Sequence, residues 1–393
     1  MNVLVGPNGA GKSSVLDALA ILLSWAVSRT ISARARGSYI GKFDIRNGTG
    51  YASLKITTDA NIEWSLVKVK KGGLKPPKNT DLIKLGEYTE DVQSRIAANQ
   101  NEASLVLFVY YPVERAVLDI PLRIRSKHKF EPLDAYEGSL TSGANFRTFF
   151  EWFREREDLE NESKVHSRSG KFVPDRQLEA VRGALREFLP EFDNLTVRRS
   201  PLRMEVEKNG KILRIEQLSG GEKILIALIG DLARRLAIAN PGSANPLHEK
   251  GIVLIDEADL HLHPRWQRML IPCFSRIFPA CQFIISTHSP HVITHTRPEY
   301  LFLLEEKEGT VIIRKASESY GKNADRVLED LMGLETTRPE DVSARLHSIA
   351  EKIDRNEFDE AKKEIEELQA DIGSDPELVK AETLIKRKEI IGR

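Results

Sequence analysis

A glycine-rich segment near the start of the chain carries the residue types that bind phosphate. Residues 6–13 read GPNGAGKS and match the pattern GxxxxGK[ST] at every fixed position. Glycines let successive backbone N–H groups turn towards a phosphate, and the following helix directs its positive end to the same place. The pattern predicts that Lys12 reaches the β- and γ-phosphates of ATP and that the Ser13 hydroxyl ligates Mg²⁺. The expected nucleotide contacts are Gly6, Pro7, Asn8, Gly9, Ala10, Gly11, Lys12, Ser13 and Ser14.

An apolar run that ends in two acids predicts the second half of the site. Residues 251–257 read GIVLIDE, which is typical of a buried parallel strand with carboxylates at its C-terminal edge. Open α/β sheets bind ligands at that edge. We expect Asp256 to hold Mg²⁺ as a hard oxygen ligand and Glu257 to orient or deprotonate the attacking water. The alternatives are a plain glycine-rich turn for the first segment and a solvated acidic turn for this one.

A second small-residue segment opens another helix. Residues 218–223 read LSGGEK and precede the helix candidate Ile224–Leu236. Small residues at a helix N-terminus form an anion site, and Ser219 is also a good N-cap, so a plain helix start is the alternative. The expected contacts in this segment are Ser219, Gly220, Gly221 and Glu222.

Two histidine-containing segments complete the set. Residues 283–290, FIISTHSP, predict an apolar strand that leads to His288, whose neutral imidazole suits a hydrogen-bonding role at cytosolic pH. A structural histidine is the alternative. Residues 258–264 read ADLHLHP, where His261 and His263 alternate as on an extended segment. A zinc site would need a third ligand nearby, and none is evident.

The order of these motifs resembles that of ABC-type ATPases. LSGGE resembles the ABC signature, which in that family caps the γ-phosphate held by another protomer, so the resemblance implies a homodimer or a higher oligomer of dimers. DEADLHLHP resembles the D-loop segment of the SMC, RecF and OLD branch, with Asp259 as the D-loop acid. THSP resembles the switch segment whose histidine contacts the γ-phosphate. The implied fold class is α/β: an ABC-type P-loop NTPase sandwich with an antiparallel β lobe, a helical lobe and a helical C-terminal tail.

Two parts of that pattern are not found. Only the strand candidate Asn2–Val5 precedes the phosphate loop, whereas this class usually has more β structure upstream and an adenine-packing residue. The adenine contacts are therefore not assigned. The apolar strand Leu105–Tyr111 leads to the expected position of the Q-loop, but no glutamine stands there, and Glu114 or Arg115 is the candidate substitute.

The intervening sequence predicts the other elements. Lys12 and Ser219 are 207 positions apart, too few for the long coiled coil of SMC proteins. Alternation predicts a β-hairpin from residues 51–56 and 62–69. Aromatic residues at helical spacing in Asn145–Glu162, followed by the helix candidate Gln177–Phe188, predict a helical lobe at about 140–190. Residues 195–206 read as one strand that leads to the signature. We expect an ATPase domain over 1–315 and a helical interaction region over 316–393.

Composition adds few constraints on function. The chain has 58 basic and 58 acidic residues, so any nucleic-acid site must be a local patch. Its basic segments are either solvated loops or contacts to a phosphate backbone. Because no run of about 18 apolar residues occurs, we expect no membrane partner and a cytoplasmic location. Cys273 and Cys281 read as buried thiols in a reducing cytosol. The basic segments comprise Lys68, Lys70, Lys71, Lys75 and Lys78, and then Arg123, Arg125, Lys127 and Lys129.

The tail reads as helical. Residues 341–354 are amphipathic, an apolar stripe follows, and Asp375 is a plausible N-cap for a last helix over 376–391. We expect docking or dimerisation from this region. Only 105 residues follow His288, without DxD or an HNH-like histidine cluster, so no intrinsic nuclease is expected. The stripe consists of Phe358, Ala361, Ile365 and Leu368.

The tail also refines the resemblance. GKNADRVL over 321–328, then MG, then RP and a helical hairpin resemble the tail of PtuA ATPases from Septu and retron-type antiphage systems. The resemblance implies a regulatory ATPase that controls an HNH nuclease partner, PtuB-like, with a reverse transcriptase and its msDNA or other nucleic acid as further partners. A RecF- or SMC-like DNA-repair ATPase that clamps DNA is the alternative, and a nuclease in its own right is a third hypothesis.

Overall fold

The structure is a computed structural model and divides into two compact units, Met1–Lys322 and Asn323–Arg393. The boundary lies after Lys322 and not after residue 315, because the intervening segment is tied to the first unit. The Ser319 hydroxyl, for example, donates to the carbonyl of Thr296 at 2.6 Å. The residues described are 1–73, 79–99, 104–113, 116–117, 130–141, 143–166 and 172–391.

The first unit is built on an α/β framework. Its strands among the described residues are β1 (Asn2–Val5), β2 (Tyr51–Thr57), β3 (Glu63–Val69), β4 (Leu107–Tyr111), β5 (Ala116–Val117), β6 (Ala144–Asn145), β7 (Phe192–Arg199), β8 (Leu202–Lys208), β9 (Lys211–Arg214), β10 (Gly251–Ile255), β11 (Cys281–Ser286), β12 (Leu301–Lys307) and β13 (Thr310–Lys315). Its helices are α1 (Lys12–Ile31), α2 (Ile83–Ala98), α3 (Phe146–His166), α4 (Arg176–Phe188), α5 (Gly220–Ala239), α6 (Pro264–Ile277) and α7 (Pro290–Ile293).

A six-stranded sheet forms the centre of this unit, in the order β13-β12-β1-β11-β10-β4. Neighbouring strands run parallel, except for the antiparallel edge pair β12–β13. The apolar sequences of β4 and β10 are buried almost throughout, as expected of parallel strands covered on both faces. Together with the phosphate loop, this sheet confirms the predicted α/β P-loop fold class.

Helix α1 is long and apolar enough to cross a membrane by length and composition alone. It follows the phosphate loop directly and packs against β4, β10 and β11. Its apolar side chains therefore belong to the core of this unit.

The outer parts of the first unit match most of the predicted elements. The hairpin β2–β3 pairs Tyr51 with Val69 and turns around residues 58–62. Helices α3 and α4 form the helical part, and the aromatic stripe of α3 is buried, including Phe149 and Trp152. Cys273 and Cys281 are free, buried thiols, as predicted. Burial raises the pKa of the Cys281 thiol to about 12.

The single strand predicted over residues 195–206 is wrong. The chain reverses between β7 and β8, and these strands pair antiparallel with a register shift between Asp193 and Thr196. The strand candidate contained Pro201, which lacks a backbone N–H and favours a turn. A second reversal at Asn209–Gly210, where both residues have positive φ, adds β9 to the sheet.

The second unit is helical, as predicted. Its apolar stripe residues Ala361, Ile365 and Leu368 lie in a common core with buried side chains from the neighbouring helices. Asp375 accepts a hydrogen bond from the Glu377 N–H at 2.8 Å at the start of the last helix, in agreement with its predicted capping role. The helices are α8 (Ala324–Asp330), α9 (Glu340–Asp354), α10 (Phe358–Ile372) and α11 (Pro376–Ile391).

Candidate nucleotide-binding site

The carboxyl edge of the central sheet brings three of the predicted segments together. In the parallel register, Leu4 of β1 lies beside Ser286 of β11, and Ile255 of β10 lies beside Ile285. The phosphate loop, the acidic pair after β10 and the histidine segment after β11 therefore leave the sheet side by side. Open parallel sheets bind ligands at this edge.

The phosphate loop has the backbone that its glycines predict. Gly9 and Gly11 have φ of 82° and 86°, a conformation that other residues rarely adopt. Gly6 is needed for close approach, because a Cβ there would lie 2.4 Å from the carbonyl oxygen of Leu304. Ser13, in the first turn of α1, is exposed. Its hydroxyl is available to a ligand.

Lys12 lies inside its own loop. Its Nζ donates to the carbonyl oxygens of Gly6 at 2.9 Å and Pro7 at 3.0 Å, and the residue is 6% exposed. Burial lowers the pKa of this amine, while the charges of Asp256, Glu257 and Asp259 raise it and so offset part of the shift. These acids are therefore close enough to stabilise a cation in the loop.

The acidic pair after β10 is held by a serine. Asp256 is 3% exposed and accepts a hydrogen bond from the hydroxyl of Ser286. The same hydroxyl accepts the backbone N–H of Glu257 at 2.7 Å. Glu257 has φ of 44°, in the left-handed region. Ser286 thus positions both acids, a role that the sequence alone did not predict.

The D-loop acid contacts the histidine segment. The hydroxyl of Thr287 donates to Oδ1 of Asp259 at 2.5 Å, and the backbone N–H of His288 donates to the same oxygen at 3.3 Å. Burial lowers the pKa of His288, the charge of Lys12 lowers it further, and the nearby acids partly oppose both effects. A neutral imidazole is the resulting form in the ligand-free chain at neutral pH.

The serine-glycine segment forms a capped helix start. The Ser219 N–H donates to Oε2 of Glu222 at 2.8 Å, and the Ser219 hydroxyl donates to the same oxygen at 2.9 Å, while the Glu222 N–H approaches that hydroxyl at 3.4 Å. Lys208 donates to the other carboxylate oxygen of Glu222 at 2.5 Å. Ser219 therefore acts as the N-cap of helix α5, which was the alternative interpretation of this segment. Ser219 and Gly220 are nevertheless exposed, which leaves a second role open to them.

Gly221 joins this helix start to the D-loop segment. A Cβ on Gly221 would lie 2.7 Å from the carbonyl oxygen of His261 and 3.0 Å from the ring of Trp266. A Cβ on Gly220 would meet nothing within 4 Å. Gly221 is thus required for close packing inside the chain, whereas Gly220 faces open space.

The predicted metal contacts fit Mg²⁺ that is shared with phosphate. Ser13 and Asp256 supply a hydroxyl and a carboxylate, the hard oxygen donors that Mg²⁺ prefers in partly hydrated, phosphate-bridged sites. Among the residues that the structure describes, no group of three or more His, Cys, Asp or Glu side chains is arranged to hold a metal ion. His263 instead caps helix α6, where its Nδ1 accepts the Arg265 N–H at 3.2 Å.

Several predicted features lie outside the described residues. They are the Q-loop candidates Glu114 and Arg115, and the basic residues Lys75, Lys78, Arg123, Arg125, Lys127 and Lys129. Lys68, Lys70 and Lys71 are described and exposed at the end of β3.

Comparison with known proteins identifies the family. Residues 1–294 match the family model described as "AAA domain, putative AbiEii toxin, Type IV TA system". The chain is 32% identical to the "Retron Ec83 probable ATPase" of Escherichia coli, over 88% of this chain and 73% of that protein. The chain belongs to the AAA-domain ATPases of the retron and PtuA type.

Two further relatives support this assignment. The "Retron Vc95 probable ATPase" of Vibrio cholerae serotype O1 biovar El Tor is 30% identical over 83% of this chain and 73% of its own length. The Septu protein PtuA of Bacillus thuringiensis is 36% identical over 33% of this chain and 34% of its own length. The predicted resemblance to retron and Septu ATPases is thereby confirmed.

Proposed function

We propose that this retron- and PtuA-type ATPase binds and hydrolyses ATP as the regulatory subunit of a bacterial antiphage defence complex. The observation that carries the proposal is the convergence of Lys12, Asp256, Glu257 and His288 at one sheet edge, while the capped helix start at Ser219 remains exposed. In this proposal the set binds the triphosphate and transfers its γ-phosphoryl group to water, and the exposed helix start closes the site of a second chain.

The residues at the sheet edge take defined roles in this proposal. The Lys12 amine leaves the carbonyls of Gly6 and Pro7 for the phosphate oxygens, which are the stronger acceptors. Ser13 and Asp256 would hold a bound Mg²⁺, which would supply positive charge to neutralise the phosphates. Glu257 orients the attacking water.

Two copies of the chain close the sites. The exposed Ser219–Gly220 start of α5 would supply backbone N–H groups and a positive helix end to the γ-phosphate on the partner. His288 contacts the γ-phosphate from its own chain, and Asp259, which already holds the His288 N–H, lies next to the dimer contact. A ligand that contacts both chains shifts the equilibrium towards the dimer, which couples ATP to a change in shape.

In this proposal the change in shape controls the activity of a separate effector protein. Relatives named as a retron ATPase and a Septu protein support a retron or Septu setting. The resemblance to PtuA ATPases then implies an effector of the HNH nuclease class, PtuB-like, with a reverse transcriptase and its msDNA as further partners. The helical unit Asn323–Arg393 is the proposed docking element. A cytoplasmic location and the absence of an intrinsic nuclease complete the proposal.

Mixing two inactive variants tests the shared site. Lys12→Ala removes the loop lysine and Ser219→Arg blocks the helix start, so each homodimer has two defective sites. A mixed dimer keeps one site with both elements intact. We expect a 1:1 mixture to regain ATP-dependent association and about a quarter of the wild-type rate, if sites act independently. A mixture that neither associates nor hydrolyses ATP contradicts the pairing.

The regulatory role needs a second experiment. The chain is purified with and without a candidate HNH nuclease chosen from its gene neighbourhood, and DNA cleavage is measured with ATP, without ATP and with the Glu257→Gln chain. We expect cleavage by the nuclease to depend on the nucleotide state of the ATPase. Cleavage by the ATPase chain alone would instead support an intrinsic nuclease.

A DNA-clamping repair ATPase is the second candidate, because Lys68, Lys70 and Lys71 lie exposed together at the end of the hairpin β2–β3. Phosphate contacts by lysines weaken as salt rises. Binding of duplex DNA by the isolated dimer, lost between 50 and 200 mM salt and reduced by charge reversal of these lysines, favours this candidate. Salt-independent or absent binding favours the defence role.

A further inference from the structure

Two consecutive tyrosines end strand β4, next to the acidic strand β10. Tyr110 and Tyr111 point to opposite faces of the sheet, as successive strand residues do. Helix α1, which starts at the phosphate loop, covers one face, and helix α5, which starts at the signature, covers the other. Each tyrosine hydroxyl reaches a carboxylate on one of these helices.

The Tyr110 hydroxyl contacts the phosphate-loop helix. It donates to Oδ1 of Asp17 at 2.9 Å, and Asp17 lies five positions after Lys12 on α1. Burial is the main reason why the pKa of Tyr110 is raised, so the phenol remains a donor at any physiological pH. This bond fixes the end of β4 relative to the first turns of α1.

The Tyr111 hydroxyl contacts the signature helix. It donates to Oδ2 of Asp231 at 3.0 Å, and the same carboxylate accepts Arg234 and Arg235, both at 2.7 Å. Asp231 is 0% exposed and both arginines are at most 2% exposed. Arg235 also donates to the backbone carbonyls of Ala135 and Glu137. Breaking one bond of such a buried charged network is costly, so its geometry is well fixed.

The same strand end positions the proposed Mg²⁺ ligand. The backbone N–H of Asp256 donates to the carbonyl oxygen of Tyr111 at 2.9 Å. One residue therefore holds the signature helix through its side chain and the metal-binding acid through its backbone.

We propose that Tyr110 and Tyr111 are positioning residues that set the phosphate-loop helix and the signature helix at fixed distances from Asp256. The inference rests on the function proposed above, because that function assigns the phosphate loop and the signature segment to one reaction. Tyr110 acts on the half of the site that binds nucleotide in its own chain. Tyr111 acts on the helix that meets the partner's nucleotide only in the closed dimer.

The two substitutions should therefore differ in their kinetic effect. Tyr110→Phe loosens the helix behind Lys12, so it weakens nucleotide binding and raises the KM for ATP·Mg²⁺ about fivefold, with kcat within twofold. Tyr111→Phe loosens the signature helix, whose contact forms in the closed state, so it lowers kcat about tenfold with KM within twofold. It also weakens ATP-driven dimerisation of a Glu257→Gln chain.

The matched control is Tyr136→Phe. The Tyr136 hydroxyl is also buried, and it donates to the carbonyl of Val106 at 2.7 Å, just before the opposite end of β4. Tyr136→Phe removes the same phenol oxygen from a bond that anchors the other end of β4, so it should also lower thermal stability. It should leave KM and kcat within twofold of wild type. Thermal unfolding is measured for all three variants, and kinetics are measured well below the lowest midpoint.

The outcomes separate this inference from the proposed function. Kinetic changes in Tyr110→Phe and Tyr111→Phe that match those of Tyr136→Phe, or that are exchanged between the two, overturn the inference. If wild-type protein binds ATP but neither dimerises nor hydrolyses it, the proposed function fails. The inference then still requires Tyr110→Phe, and not Tyr136→Phe, to weaken binding of a fluorescent ATP analogue about fivefold.

Discussion

The backbone N–H of Glu257 donates to the hydroxyl of Ser286 at 2.7 Å, across two neighbouring strands of the central sheet. The hydroxyl hydrogen is directed to the carboxylate of Asp256. A single oxygen thus connects the proposed catalytic base, the proposed Mg²⁺ ligand and the strand that leads to His288. Ser286 is fully buried, so water does not replace this hydroxyl easily when it is removed.

Ser286→Ala should separate catalysis from binding. The change leaves the Glu257 N–H without its acceptor, and we expect a loss of about 1–3 kcal/mol in stability and about tenfold or more in kcat. ATP affinity without Mg²⁺ should change little, because the phosphate loop is intact. The control is Ser319→Ala, a buried serine whose hydroxyl bonds the Thr296 carbonyl. Equal kcat values for the two variants would contradict the role of Ser286.

Glu257→Gln should trap the ATP-bound dimer. The amide keeps the size of the side chain but cannot accept a proton from water, so hydrolysis should fall about 10²-fold or more while binding persists. Lys12→Ala should lose nucleotide binding instead. Light scattering with and without ATP·Mg²⁺ distinguishes a stable dimer from a monomer, with Glu299→Gln as an exposed acidic control. A Glu257→Gln chain that stays monomeric with ATP bound speaks against the shared site.

The two signature glycines should respond differently to alanine. Gly221→Ala places a methyl group 2.7 Å from the His261 carbonyl and should lower the unfolding temperature of the isolated chain. Gly220→Ala meets open space, so its unfolding temperature should stay near that of wild type, while ATP-driven dimerisation weakens. Thermal unfolding and light scattering test the pair. A strongly destabilised Gly220→Ala chain would show that this position serves the fold alone.

His288 should titrate below the ordinary histidine range in the nucleotide-free chain. Burial and the Lys12 charge lower its pKa, so the unfolded chain takes up this proton first as the pH falls. The contribution of His288 to stability therefore decreases as the pH falls below about 6.5, the value of a free histidine. An NMR titration, assigned with His288→Asn, measures the pKa. Lys12→Ala should raise it, and a value above 6.5 in the wild-type chain would refute this assignment.

The motifs and their order could be predicted because the conformation at each motif depends on the residue types at a few neighbouring positions. Gly9 and Gly11 adopt positive φ, Lys12 opens a helix, and the apolar run before Asp256 is a central strand. These features depend on a few neighbouring positions. The parallel sheet then brings their ends together by topology alone.

The contacts that fix the site could not be predicted in the same way. Tyr111 meets Asp231 across 120 positions, and Ser286 meets Asp256 across 30. Such pairs depend on which strands become neighbours and on the faces that their side chains take. In the strand candidate that spanned Pro201, the alternating pattern hid a reversal, because both arms of a hairpin alternate in the same manner.

The open space around Gly220 has a consequence for the cell. Under the proposed pairing, the surface that completes each reaction centre is carried on the outside of a different molecule. At concentrations below the dissociation constant of the pair, the rate per cell then grows with the square of the number of copies. A twofold rise in synthesis would give about a fourfold rise in ATP turnover, so the level of gene expression itself would regulate the activity.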